Sequence, residues 1–417
     1  MILNIEFKNY RSFKEECIFT MEPNKSQAKL NNMCEISLPN DVTKNVLKIS
    51  VFLGANASGK TNIIKFLYGF KRWIKNLDNR TGEDIPLYDP FKFDDETISS
   101  PINFKIDFIV KNIQYRYELQ FNKKSILCEN LFYSPKGRIV LLFERDISRE
   151  KTESFIMHKI KAGPSVSGFK SFSVFNNQLL LSKFIIDTPS ELITPAAKYL
   201  ADIVVSNGYY DNNKSTAFND IVDWLEAQPE RKKLLSEFLE FTNTGVNGFN
   251  ISKLDGQYEV ASLHKKYSNG QNIGSVSLPL AEESFGTRSL FTLGCYILQA
   301  LETGSPLFAD EIDSGLHTYI TQLIVSIFRN RRINKYNSQF IFTTHDVNIL
   351  DQNIVRKDQV WFVEKNELGV SDIFSLSDFE DVREDTPFVK WYMNNKFGGV
   401  PTLRSLERLF GNYGKTK

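Results

Sequence analysis

The chain has 417 residues, 41% of them apolar, with 51 Lys and Arg against 50 Asp and Glu. That length suits two or three average domains, or one α/β nucleotide-binding core with insertions. The balanced charge excludes a global basic field that would attract nucleic acid, though not a local patch. Four scattered cysteines (Cys17, Cys34, Cys128 and Cys295) have neither metal-site nor disulfide-framework spacing, which fits a reducing cytoplasm. No apolar run reaches the ~18 residues of a membrane span, and no cleavable leader is visible.

In chain order, the first 20 residues alternate through Ile2, Leu3, Ile5 and Phe7, the turn Asn9-Tyr10-Arg11-Ser12-Phe13, then Cys17, Ile18 and Phe19. A strand pair is predicted there. Residues 22–45 read as polar and turn-rich. The apolar run 46–53 predicts a buried strand, followed by Gly54-Ala-Asn-Ala-Ser-Gly59-Lys60-Thr61 and a helix with Ile63, Phe66, Leu67, Phe70, Trp73, Ile74 and Leu77 on one face.

Strand, glycine-rich turn and helix opening on Lys-Thr make the loop that cradles phosphates in P-loop proteins. Glycines let the backbone curl so that its N–H groups point inward, and the helix N-terminus adds positive dipole. Asn56, Ser58, Gly59, Lys60, Thr61 and Asn62 are the expected nucleotide contacts. Lys60 would reach the β- and γ-phosphates, and the Thr61 hydroxyl would ligate Mg²⁺.

A loop is expected from Asn76 to Asp84, then strands at 103–111, 113–122, 128–134 and 139–143. From Thr188 to Thr244 the apolar spacing becomes helical, in segments too short for a long coiled coil. Strand character returns over 249–280. The expected domains are 1–187, an N-terminal part with P-loop and β-rich lobe; 188–248, a helical insertion; and 249–417, a C-terminal part.

Glu282-Glu283-Ser284-Phe285-Gly286-Thr287-Arg288 leads into an apolar helix. Ser284 suits an N-cap and Gly286 a close backbone approach. This is either only a well-capped helix or a second phosphate-binding helix end offered to another subunit. Ser305-Pro-Leu-Phe-Ala309 predicts a strand ending in Asp310 and Glu311. At such a tip in P-loop enzymes the first carboxylate holds Mg²⁺. The second is placed to act as general base toward water. The buried run Gln339–Thr343 turns polar at Thr344-His345-Asp346. A carboxyl strand end is where open α/β sheets place ligand chemistry. His345 is therefore the candidate γ-phosphate sensor, whereas His158 and His264 read as structural.

Together these features resemble the ABC-type ATPase heads of the SMC, Rad50, RecF and OLD group, and most closely bacterial ATPases of the OLD-like "AAA15" kind. The residues that carry the resemblance are Gly-Ala-Asn-Ala-Ser-Gly-Lys-Thr-Asn at 54–62, Glu-Ser-x-Gly-Thr at 283–287, Asp-Glu-Ile-Asp with Leu-His at 310–317, and Thr-Thr-His-Asp at 343–346. The segment Lys390 to Pro401 is similar to the tail of abortive-infection and restriction-linked members. The resemblance implies an α/β fold of the ABC-ATPase head type, a mixed-sheet core with a β-rich lobe plus the helical insertion. It implies ATP and Mg²⁺ as ligands and a head-to-tail homo-oligomer. In that assembly Ser284 and Gly286 complete a neighbour's site, Asp313 lies in the subunit-contacting loop, His345 is the switch histidine and Arg11 approaches the nucleotide. Phe285 and a single glycine in the signature depart from the Leu-Ser-Gly-Gly-Gln of transporters, which argues against a transport ATPase. The glutamine that usually follows the first helix finds no position; Gln114, Gln120 and Gln178 are candidates.

A fused Toprim nuclease is not expected. Val360-Trp-Phe-Val363-Glu364 matches its opening strand superficially, but only 53 residues follow (417 − 364) and none forms Asp-x-Asp. The simpler account is the last strand of the ATPase sheet. The expected function is an ATP-hydrolysing switch or sensor in bacterial anti-phage defence, controlling a separate effector such as a Toprim-type nuclease. The alternative is a DNA-repair or chromosome-maintenance ATPase of RecF/SMC type gripping duplex DNA. Its marker would be clustered Lys and Arg, as at Lys123-Lys124, Arg231-Lys232-Lys233 and Lys265-Lys266, although such short runs usually form solvated faces.

Overall fold

Ile49–Leu53 is buried at all five positions, as a parallel strand covered on both faces must be. In the computed structural model it lies inside a six-stranded sheet ordered Val204–Ser206, Leu307–Ala309, Phe340–Thr343, Ile49–Leu53, Val360–Lys365, Ser371–Ser375. The first five strands are parallel and the sixth is antiparallel. The structure describes residues 1–25, 29–39, 41–75, 83–146, 157–158, 172–186, 188–207, 216–383 and 385–401. Most of the loop expected at Asn76 to Asp84, and the side chain of His158, lie outside the described residues.

A second six-stranded sheet, antiparallel throughout, forms the β-rich lobe in the order Cys17–Thr20, Ile2–Lys8, Ile102–Val110, Ile113–Phe121, Ile126–Ser134, Val140–Asp146. The helix Lys60–Ile74 packs against it through its aromatic face. Phe66 and Phe70 meet Phe104 at 4.6 and 4.8 Å between ring centroids, and Trp73 meets Phe121 at 5.1 Å. Much of the phenylalanine content therefore fills one core, and the helix that starts at the P-loop is wedged between lobe and central sheet.

Four readings need correction. Residues 22–45, expected as polar turns, include the hairpin Met33–Leu38 with Val42–Leu47; its outer positions are polar and exposed, which masks the alternation. The strand expected at 46–53 is divided at Lys48, whose buried ammonium donates to the Arg329 carbonyl at 3.3 Å. The helical stretch begins before Thr188, at Leu180–Ile186, and continues as Ile193–Ala201, Thr216–Glu226 and Pro229–Phe241, but between the second and third helices Val204–Ser206 enters the central sheet. Val360–Lys365 is not the last strand, because Ser371–Ser375 pairs back onto it. A three-stranded antiparallel ribbon, Val246–Leu254, Gln257–Ser268 and Gln271–Pro279, fulfils the strand expectation before the signature helix Phe285–Thr303. Among the described residues no helix is long and apolar enough to cross a membrane.

Candidate nucleotide-binding and hydrolysis site

The loop between Ile49–Leu53 and Lys60–Ile74 is held from behind. Gly59 has φ 119°, a left-handed conformation in which a Cβ would sit 2.7 Å from Ser12 Oγ and 2.8 Å from Ser371 Oγ. At Gly54 a Cβ would sit 2.2 Å from the Val363 carbonyl oxygen. The Ser371 hydroxyl donates to the Ser58 carbonyl, tying the loop to the edge strand. Lys60, at 5% exposure, donates to the carbonyls of Gly54 at 2.8 Å and Ala55 at 3.0 Å, so the loop curls around its own ammonium. Burial lowers the Lys60 pKa, opposed by the charges of Glu311, Asp310 and Asp313. That opposition draws the carboxylates and the loop into one field.

Asp310 follows Leu307–Ala309 at the carboxyl end of the sheet and is buried. Its Oδ1 accepts from the Thr343 hydroxyl at 2.6 Å and lies 3.3 Å from the Thr61 hydroxyl. Burial pushes its pKa up, and those two hydroxyls oppose the shift. Glu311 has φ 46°, unusual for a residue with a Cβ. Its N–H is fixed by donation to Thr343 Oγ1 at 2.7 Å. One carboxylate oxygen accepts from Ser314 at 3.3 Å and the other lies 4.0 Å from His345 Nε2. Asp313 accepts from the Thr344 hydroxyl at 2.7 Å and from the His345 N–H at 3.2 Å, which orients the loop carrying His345.

These groups open on a cavity of about 520 Å³ lined by residues 56–62, Glu311, His345 and Lys365. Asn56, Ser58, Gly59, Lys60, Thr61, Asn62, Glu311 and His345 are thus brought to one space, with Asp310 beneath Thr61 and Asp313 behind His345. Ser284 and Gly286 do not line it. Ser284 caps its helix by accepting from the Thr287 N–H at 3.1 Å. Gly286 packs so closely on the loop after Glu311 that a Cβ would sit 2.4 Å from the Gly315 carbonyl oxygen. Arg11 does not line it either: it pairs with Asp89 at 2.9 Å, with one guanidinium nitrogen 3.5 Å from Asn62 Oδ1. Neither Gln114, Gln120 nor Gln178 lines the cavity. His264, read as structural, lies 2.6 Å from Glu283 beside the signature.

Sequence reasoning missed Thr343, Ser12, Ser371 and Lys365. Thr343 carried a signal, a hydroxyl at the tip of the strand leading to His345. Ser12 and Ser371 reach the P-loop only through the fold. The donors present, a threonine hydroxyl and a carboxylate beside a phosphate loop, suit a hard oxygen-seeking Mg²⁺.

Residues 49–351 match the family described as "AAA domain, putative AbiEii toxin, Type IV TA system". The chain is also similar to three solved structures. A SmcHead bound to the C-winged helix domain of ScpA is 14% identical, with TM-score 0.44 over 90% of this chain and 97% of that one. The SMC head domain from Thermotoga maritima is 16% identical, with TM-score 0.35 over 90% and 98%. A Smc head domain with an extended coiled coil, bound to the C-terminal domain of ScpA derived from Pyrococcus furiosus, is 13% identical, with TM-score 0.35 over 90% and 96%. No curated protein matches the chain. The matched range takes in the P-loop, the signature, Asp310, Glu311 and His345, and its length exceeds half the chain, so the protein belongs to the AAA-domain family of AbiEii-like, type IV toxin–antitoxin description.

Proposed function

We propose that this chain binds ATP with Mg²⁺ and hydrolyses it, as the switch subunit of an abortive-infection-like defence system. The observation that carries the reading is the hydrogen-bonded line Thr61–Asp310–Thr343–Glu311, whose two ends line the P-loop cavity. Thr61 and Asp310 would hold Mg²⁺, which neutralises phosphate charge when bound. Lys60 exchanges the Gly54 and Ala55 carbonyls for phosphate oxygens. Glu311 accepts the proton of the attacking water, and His345 stands across from it as the γ-phosphate contact. Ser284 and Gly286, on another surface of the chain, support completion of the site by a sister copy in a head-to-tail oligomer, with Asp313 in the loop between them.

The family description, with its AbiEii and type IV toxin–antitoxin terms, supports the defence role. Membership of the OLD-like branch, control of a separate Toprim-type effector and a cytoplasmic setting belong to this same proposal. Duplex-DNA binding through the basic runs is less favoured. Lys123 and Lys124 both pair with Asp84, Arg231 with Glu302, Lys232 with Glu226 and Lys265 with Glu240. The test of nucleotide binding is Lys60→Ala, expected to abolish ATP affinity in equilibrium titration. Retained affinity would remove the P-loop assignment.

A further inference from the structure

A second cavity, of about 1060 Å³, lies away from the P-loop. Two elements that carry the P-loop cavity at one end reach it with the other, and a third begins against the loop that follows Glu311. Helix Lys60–Ile74 begins with Lys60 and Thr61 and delivers Lys71 and Lys75 near its C-terminus. The signature helix begins at its Ser284 cap and delivers Gln299 and Thr303. Ser305 lines the cavity just before the strand that ends in Asp310 and Glu311.

The lining is cationic and only partly compensated. Lys71, Lys75, Lys111 and Lys198 face Glu191 and Asp202, and Asp202 is already 3.5 Å from Lys75. Lys71 is half-buried, and burial together with the neighbouring Lys75 charge pushes its pKa down to about 8. An incoming anion would relieve that cost. Tyr199 supplies an independent sign. Its ring stacks on Phe108 at 5.4 Å, while its hydroxyl is buried without a hydrogen-bond partner among the described residues. A buried orphan hydroxyl is expensive unless something satisfies it. Pro189, Pro195 and Trp224 add apolar wall, giving a pocket of the size and mixed character that small ligands occupy.

We propose that this cavity is an effector site for a small phosphate-bearing molecule, held by Lys71, Lys75 and Lys198 with Tyr199 at its inner wall. Occupancy would be felt at the nucleotide site through the helices and strand the two share; that coupling, unlike the binding itself, rests on the ATPase reading.

The binding test uses the full chain carrying Lys60→Ala, so that P-loop uptake is suppressed, titrated calorimetrically with pyrophosphate, AMP and a short 5′-phosphorylated oligonucleotide. Pyrophosphate or AMP should bind once per chain. Lys71→Met and Lys198→Ala should each weaken that binding at least about tenfold, and Tyr199→Phe several-fold, with a melting temperature of the ligand-free chain that rises rather than falls. Binding of neither small probe, affinities unmoved by the lysine variants, or binding of the oligonucleotide alone would overturn the site. For the coupling, the small probe that binds should shift ATP affinity at least about threefold with an otherwise wild-type P-loop, and not in Lys71→Met. An equal shift in both chains would overturn the coupling and leave the site standing. Absence of ATP binding altogether would count against the ATPase reading instead.

Discussion

Thr343 is the residue on which the geometry of the proposed chemistry turns. One hydroxyl donates to the Asp310 carboxylate and accepts from the Glu311 N–H, so a single side chain sets the positions of the two groups proposed to hold metal and to activate water. Thr343→Val leaves the part-buried Glu311 N–H without its acceptor and removes the shorter of two hydroxyl donors to the Asp310 carboxylate. It should cost about 1–3 kcal/mol in denaturant titration and slow ATP hydrolysis, with Thr343→Ser restoring both. Asp310 illustrates a conflict between function and stability. Burial raises its pKa above the unfolded value, so its contribution to stability is present below the ordinary carboxylate range and is lost as pH rises through the raised value. Asp310→Asn should therefore raise the melting temperature of the nucleotide-free protein at neutral pH, with the gain shrinking toward pH 4. The same substitution should lower Mg²⁺-dependent turnover by on the order of 100-fold. A melting temperature that falls at pH 7 and is indifferent to pH would contradict this.

At the scale of elements, the loops after Leu307–Ala309 and before the signature helix act as one unit, because Gly286 touches the Gly315 carbonyl with no room for a methyl group. Gly286→Ala must displace either the helix start or the segment that follows Glu311. It should destabilise the protein by about 1–3 kcal/mol and reduce turnover while leaving nucleotide affinity near wild type, since Gly286 does not line the cavity. Selective loss of ATP affinity would contradict that. The same scale explains what could be read in advance. The placement of 54–62, Asp310-Glu311 and His345 around one cavity was legible because each stretch follows a strongly apolar strand. Val204–Ser206 was not, because three residues cannot establish a period between two helices. The hairpin at 33–47 was hidden by half-exposed strands, and Ser371–Ser375 by the short turn that folds it back. Arg11, placed near the nucleotide only by resemblance, pairs with Asp89 and reaches Asn62 of the cavity lining at 3.5 Å. Thr343 carried a signal as a strand-tip hydroxyl, but its partner Asp310, 33 residues away, is set only by the fold.

For the whole molecule, the proposed completion of the site by a second copy rests on Ser284 and Gly286 lying outside the P-loop cavity. Ser284→Arg should leave nucleotide binding by one chain intact, lower hydrolysis and block ATP-dependent assembly in light scattering; unchanged hydrolysis would mean that one chain suffices. Glu311, held opposite His345 at the rim of the phosphate loop, is proposed to activate water against a bound triphosphate. The most direct test of that role is Glu311→Gln, followed by ATP binding and phosphate release in the same sample. Affinity should stay at the wild-type level while turnover falls at least ~100-fold, and an ATP-bound assembly should persist. Phosphate release at the wild-type rate would contradict it.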